Sequence, residues 1–252
     1  MKKKINKIIF ICACFVCAAS LILGIYYFSM MNKSRSNYND LRSNAVSTLS
    51  GVASGNDEMS IDFEELQNRN SDIYAWITIP DTQIDYPIVQ SYSEDDSFYL
   101  NHNIDKQYDQ NGSIYTEKHN TKDFSDPNTV IYGHNMLDGS MFQNLHKFRD
   151  KEFFDEHKYI YIYTPDRILE YTVVSAYKSD DRHILNSYDL NDEEVFADYL
   201  KTVENPQSLE VNRRDIELSV SDRLITLSTC IGNEKNYRYL VQGVLTNEST
   251  VK

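Results

Sequence analysis

The chain is short of cysteine where cysteine would matter for folding. Three of its four cysteines, Cys12, Cys14 and Cys17, fall inside one apolar run, leaving Cys230 alone in the rest of the 252 residues. That distribution excludes a disulfide framework and a four-cysteine zinc site from the soluble part. Basic charge is equally scarce. All five lysines before position 34 lie in a stretch without Asp or Glu, and the remainder carries 20 basic against 38 acidic side chains, a balance of −18. So acidic a surface repels phosphate backbones and argues against a nucleic-acid partner. The sequence also lacks internal repeats, a glycine-rich phosphate loop and an HExxH metal motif.

What is present begins with the run itself. Residues 8–28, IIFICACFVCAASLILGIYYF, contain no charge, and as a helix they match the roughly 30 Å apolar core of a bilayer. Lys2, Lys3, Lys4 and Lys7 precede the run, which predicts a cytoplasmic N-terminus and an extracytoplasmic body. The run is too long for the apolar region of a cleavable signal peptide. The organisation expected is therefore a cytoplasmic tail at 1–7, a transmembrane anchor at 8–28, a stalk at 29–59 and an extracytoplasmic domain at 60–252. The stalk is rich in Ser, Asn and Gly, with room for a weak helix at 37–47.

Order is expected from near Ile61. Asp62 with Glu65 forms an N-terminal capping pair and Ile61 with Leu66 a hydrophobic staple, predicting a short helix from Phe63 to about Arg69. Eight runs rich in Ile, Val, Tyr and Thr follow, at 74–79, 84–89, 113–115, 129–132, 159–164, 168–176, 223–229 and 238–245. Bounded by turn formers, they predict a mainly β fold with helical insertions, an eight-stranded barrel. The insertions are expected at 141–148 and at 191–203. In the second, Asn191 with Glu194 reads as the cap, and Val195, Phe196, Tyr199, Leu200 and Val203 form a core-facing stripe.

The chemistry concentrates near the C-terminus. In Leu-Ile-Thr-Leu-Ser-Thr-Cys (224–230), strand alternation turns Thr226, Ser228 and Cys230 to one side and Ile225 and Leu227 to the other. A hairpin across the turn-rich residues 231–236 brings Arg238 beside Cys230, where a guanidinium can donate to an oxyanion. A third group, His134, follows the apolar run Val130-Ile131-Tyr132. Cys, His and Arg at strand ends suit a cysteine nucleophile with its own acid/base and oxyanion donor. On composition alone, His102, His119, His146, His157 and His183 are as eligible as His134, and Cys230 could be an inert buried thiol.

At these residues the chain resembles a known family. TLSTC (226–230) with Arg238 eight residues on, and IYGHNMLDGSMFQNL (131–145), resemble the cysteine and histidine segments of sortases, the cysteine transpeptidases of Gram-positive cell surfaces. AWITI (75–79) followed by IDYPIVQ (84–90) resembles the opening strands of class B sortases, as the helix at 191–203 resembles their insertion. The resemblance implies a sortase-like eight-stranded β-barrel preceded by an N-terminal helix and a transmembrane helix. It implies Cys230 as nucleophile, His134 as acid/base and Arg238 as oxyanion or substrate donor, with no cofactor and no metal.

Implied partners are surface proteins bearing a C-terminal sorting signal of the NPQT type, a peptidoglycan precursor amine, and the membrane through residues 8–28. The alternatives are a housekeeping or pilin-polymerising sortase, or a non-catalytic surface-anchored binding barrel. Some class B members place an aspartate just after the cysteine. Here Ile231, Gly232, Asn233 and Glu234 follow, so no carboxylate is assigned to orient His134. Asn205-Pro206-Gln207-Ser208 mimics a sorting signal but lacks its apolar tail, and reads as a turn.

Overall fold

The computed structural model describes residues 2–49 and 58–251. They form two units, one reaching to Leu41 and one from Arg42 onward. The first is helical: α1 runs Lys2–Ala45, its last turn belonging to the second unit. Its apolar part is long and hydrophobic enough to cross a membrane. Where composition predicts a stalk with at most a short helix, α1 continues unbroken to Ala45. A helix already nucleated by an apolar run gains one hydrogen bond per residue fixed, so even polar residues of modest propensity extend it. β1 (Val46–Leu49) then pairs antiparallel with β2 (Glu58–Ile61), ahead of the expected onset of order. The part of the predicted linker at 50–57 lies outside the described residues.

Helix α2 (Phe63–Arg69) forms where the capping pair predicts it, with the Asp62 carboxylate accepting from Glu65 N–H at 2.9 Å. The strands that follow are β3 (Ile73–Thr78), β4 (Asp85–Val89), β5 (Ile114–Thr116), β6 (Asn128–Tyr132), β7 (Tyr159–Tyr163), β8 (Arg167–Asp180), β9 (Val211–Arg213), β10 (Leu224–Ile231) and β11 (Glu234–Thr250). Eight of them close a barrel in the order β3-β4-β5-β6-β10-β11-β8-β7, with β11–β8 and β3–β7 completing the ring. Closure leaves no barrel strand with an unpaired edge, the hazard of open sheets. The pairs β4–β5 and β6–β10 are parallel, the others antiparallel.

The short β9, mostly exposed, extends the same edge of β8 beyond β7. Its three residues carry no alternation that sequence could register. β8 and β11 both outrun their apolar segments. Their far ends are held by Glu248, which pairs with Arg167 at 2.9 Å and Arg223 at 2.6 Å.

Both faces of the sheet around β10 are covered. Ile131, Leu227, Val241 and Ala176 lie in one register row and are wholly buried, facing the barrel interior. Their alternates Val130, Leu224, Leu240 and Val244 face outward, where Phe196, Tyr199, Leu200 and Val203 of α5 (Glu193–Glu204) pack on them. Four of the five stripe residues are core, as their spacing implies; Val195, at the start of the helix, is only half-buried. The cap is Asp192 and not Asn191: its carboxylate accepts from Glu194 and Val195 N–H at 2.9 and 3.1 Å. An anionic side chain is the better partner for the positive end of a helix.

Two further short helices, α3 (Lys151–Glu156) and α4 (Ile184–Ser187), have no sequence signal strong enough to anticipate them. The helix expected at 141–148 is a 3-10 helix, Gln143–Arg149.

Candidate active site

Register builds the site as two adjacent rows on the outer face of the barrel. One row reads Tyr115, Tyr132, Ser228, Leu240, Tyr177 across β5, β6, β10, β11 and β8. Two residues further toward the strand ends, Cys230 stands opposite Arg238, which stands opposite Ser179. Cys230 and Arg238 are thus direct cross-strand partners, as strand alternation predicts. The turn between them is tighter than the sequence suggests. Gly232 and Asn233 alone span it, Gly232 at φ 39° in the region glycine tolerates, and β11 begins already at Glu234. Cys230 is exposed, and the ladder shifts register immediately after it.

His134 joins them through the end of β6. Gly133 N–H donates to Ser228 O at 3.2 Å, and Thr229 Oγ1 donates to Gly133 O at 2.8 Å. A side chain on Gly133 is excluded, because its Cβ would lie 2.5 Å from Ile114 Cδ1 and 2.7 Å from Phe142 Cγ. The loop that follows is pinned at its base: Phe142 N–H donates to His134 O at 2.9 Å, and Asn135 bridges to Met141.

The imidazole itself is half-buried, with Nε2 2.6 Å from Leu100 O. A carbonyl can only accept, so Nε2 carries a proton and Nδ1 is the nitrogen left for chemistry. The group that orients His134 is therefore a backbone carbonyl. Glu234, the first carboxylate after Cys230, is bonded instead to Lys178, whose ammonium also stands 4.1 Å from the centre of the Tyr237 ring.

Arg238 is anchored at one end. Its Nη1 donates to Lys235 O and Tyr237 O, both at 3.0 Å. Tyr115 and Tyr132 stack at 5.4 Å and 29°. Burial pushes both phenols far above their ordinary pKa, and the Glu117 carboxylate adds to the effect. They are neutral hydroxyls at physiological pH. Among the described residues no cluster of three His, Cys, Asp or Glu side chains is arranged to hold a metal.

Three groups escaped the sequence. The Leu100 carbonyl belongs to a backbone 34 positions away. Asn135 Nδ2 donates to Cys230 O at 3.0 Å; its place beside His134 in the quoted motif was the only hint. His146, one of the histidines composition left open, also reaches Cys230 O at 3.0 Å. Of the others, His183 meets Glu117, His102 bonds Phe98 O and His157 bonds Phe153 O.

A sortase domain model matches residues 77–246. The chain is 34% identical over 236 residues to Sortase B of Listeria monocytogenes, covering 89% of this chain and 94% of that protein. Among solved structures, sortase B from Bacillus anthracis in complex with AAEK1 superposes with a TM-score of 0.73 at 29% identity, covering 87% of this chain and 99% of that one. The Staphylococcus aureus sortase B–substrate complex gives 0.64 at 26% identity, over 73% and 84%.

Proposed function

The chain belongs to the sortase family as a class B sortase, and on that premise we propose that Cys230, His134 and Arg238 cleave a C-terminal sorting signal and transfer the acyl product to a peptidoglycan amine. One observation carries this reading: an exposed thiol at the end of β10, on the residue directly opposite Arg238 across the β10–β11 ladder and flanked by the β6 end that bears His134. The non-catalytic alternative needs a buried Cys230, and exposure of the thiol weighs against it.

In the proposed sequence the Cys230 thiolate attacks the Thr carbonyl of an NPQT-type signal. Free N–H groups of Arg238 stabilise the developing oxyanion. His134 delivers a proton from Nδ1 to the leaving amine as the C–N bond breaks, Nε2 remaining on Leu100 O. A thioacyl enzyme results. An incoming amine then attacks that thioester, His134 Nδ1 takes its proton, and the thiolate departs from a new amide bond.

The test uses the full-length protein in detergent with an NPQT-type peptide. Intact mass should show a Cys230 adduct of the N-terminal peptide fragment, releasable by hydroxylamine, and Cys230→Ala should lose adduct and cleavage together. Cleavage by the alanine variant at the wild-type rate would overturn the assignment.

We further propose that residues 8–28 anchor the enzyme, with 1–7 cytoplasmic, 29–59 as connecting segment and 60–252 catalytic and extracellular. The four lysines before the apolar helix support that orientation. Protease added outside wall-stripped cells should digest the catalytic domain; protection until the membrane is dissolved would reverse the orientation.

A further inference from the structure

Cys230 is held through its carbonyl as well as through its strand. Parallel ladder bonds recur at every second residue, and Gly133 N–H to Ser228 O is the last that the β6 backbone gives β10 among the described residues. The next acceptor on that edge is Cys230 O. By then residues 134–142 have turned away, and two side chains replace the missing backbone donor: Asn135 Nδ2 and His146 Nε2, each at 3.0 Å. A carbonyl oxygen has two lone pairs, so both are engaged. This happens where the β10–β11 register shifts, between Cys230 and Ile231, where ladder bonds alone leave the peptide plane least constrained.

His146 is built to be a fixed donor. It sits on the 3-10 helix Gln143–Arg149, whose Leu145 and Phe148 are wholly buried. Its ring lies 5.1 Å from that of Tyr239, over which the Arg149 guanidinium stands at 5.1 Å, itself 3.5 Å from Glu210. His146 Nδ1 is buried without a partner among the described residues. The proton therefore belongs on Nε2, the atom facing Cys230 O. Burial, with Arg149 adding to it, holds the ring's pKa below the ordinary imidazole value, so the donor is neutral.

We propose that His146 is a positioning residue of the transpeptidase: by fixing the peptide plane that follows Cys230 it sets the direction of the thiol, without touching substrate. This rests on Cys230 being the nucleophile. The rival is that His146 only packs on Tyr239.

Three variants of the full-length protein separate the two. His146→Leu keeps bulk and loses the donor. His146→Gln places an amide N–H near the position of Nε2. His146→Asn carries the same amide on a stem too short to reach. Single-turnover acylation, melting temperature and peptide affinity on a Cys230→Ala background are measured for each. Leu and Asn should acylate about 10- to 100-fold more slowly, the range expected when a reacting group is displaced by a fraction of an ångström to an ångström. Gln should restore most of the rate, and affinity should stay within twofold throughout.

Wild-type acylation by Leu and Asn, or equal losses in Gln and Asn, would overturn the positioning role. If Leu fails to fold, the Gln–Asn pair decides alone. A wild-type enzyme that forms no Cys230 adduct would instead remove the nucleophile assignment, and this proposal with it.

Discussion

His183 donates from Nε2 to the Glu117 carboxylate at 2.6 Å, joining positions 66 apart in the chain. Its Nδ1 meanwhile accepts the Asn186 N–H at 3.2 Å as the N-cap of α4. Both ring nitrogens are thus committed, one to β5's continuation and one to the segment after β8. The bond draws that segment over the tyrosine row beside the proposed nucleophile, with the His183 ring 6.3 Å from Tyr132. Glu117 is mostly buried and His183 about one-third exposed, so the pair is better shielded from solvent than an ordinary surface ion pair.

Glu117→Ala should release that segment while leaving the barrel intact. Amide exchange at Asn186, Ser187 and Tyr188, whose N–H groups bond to His183 or Ile184, should accelerate at least tenfold, with β10 unaffected. Exchange at the wild-type rate would show that packing of Ile184 on the α5 cluster holds the segment without the bond.

Beneath α5 lies a closed polar network. Tyr199 OH accepts from Gln242 Nε2 at 2.8 Å and Asn128 Nδ2 at 3.3 Å; Gln242 Nε2 also donates to Thr226 Oγ1, and Tyr177 OH donates to Gln242 Oε1. Burial pushes the Tyr199 phenol up to about 12, so it stays neutral. Tyr199→Phe leaves two buried N–H groups without an acceptor and should destabilise the domain by about 1–3 kcal/mol in denaturant titration. A change below about 0.5 kcal/mol would mean that water enters to replace the hydroxyl.

The His146 ring also makes a pH prediction. Its folded pKa lies below 6.5, chiefly through burial. Between the folded value and 6.5 the unfolded chain binds more protons at this position, so stability rises with pH across that window. Acidification from pH 7 therefore removes stability, with no further loss from this group below the folded value. His146→Gln does not titrate, so its melting temperature should fall less than that of the wild type between pH 7 and pH 5. Parallel curves would show that the ring protonates equally well in both states.

The proximity of Cys230 and Arg238 was legible because a strand's side chains alternate strictly and a hairpin returns the next strand beside it; the two-residue turn at Gly232 and Asn233 was not, since residues 232–236 are all turn formers or polar enough to pass for loop. Capping of α2 by Asp62 was legible for a similar reason, since it depends on neighbours in sequence. What sequence could not disclose depends on distant backbone. The Leu100 carbonyl that orients His134 has no side-chain identity to read, and His146 looked like any other histidine until the barrel closed. The extension of α1 through polar residues escaped because propagation depends on the helix before it more than on local composition.

Arg238 as a directional donor and Arg238 as a mere brace differ in what a lysine at that position would do. Its Nη1 spends both N–H groups on Lys235 O and Tyr237 O, leaving three on Nε and Nη2 uncommitted among the described residues and open to a substrate oxyanion. A guanidinium can do both because its donors are spread over a rigid plane. A lysine ammonium concentrates its donors on one atom, which cannot sit against the two carbonyls and reach the oxyanion together. Arg238→Lys should therefore keep the hairpin braced, with melting temperature and peptide affinity (measured on Cys230→Ala) little changed. Single-turnover acylation should fall on the order of 10²-fold, the usual cost of one oxyanion donor. If Arg238 serves only as a brace, the ammonium replaces it at the carbonyls and the rate does not change. A folded Arg238→Lys enzyme that acylates as fast as wild type would thus remove Arg238 from the chemistry and leave Cys230 and His134 as the proposed catalytic pair.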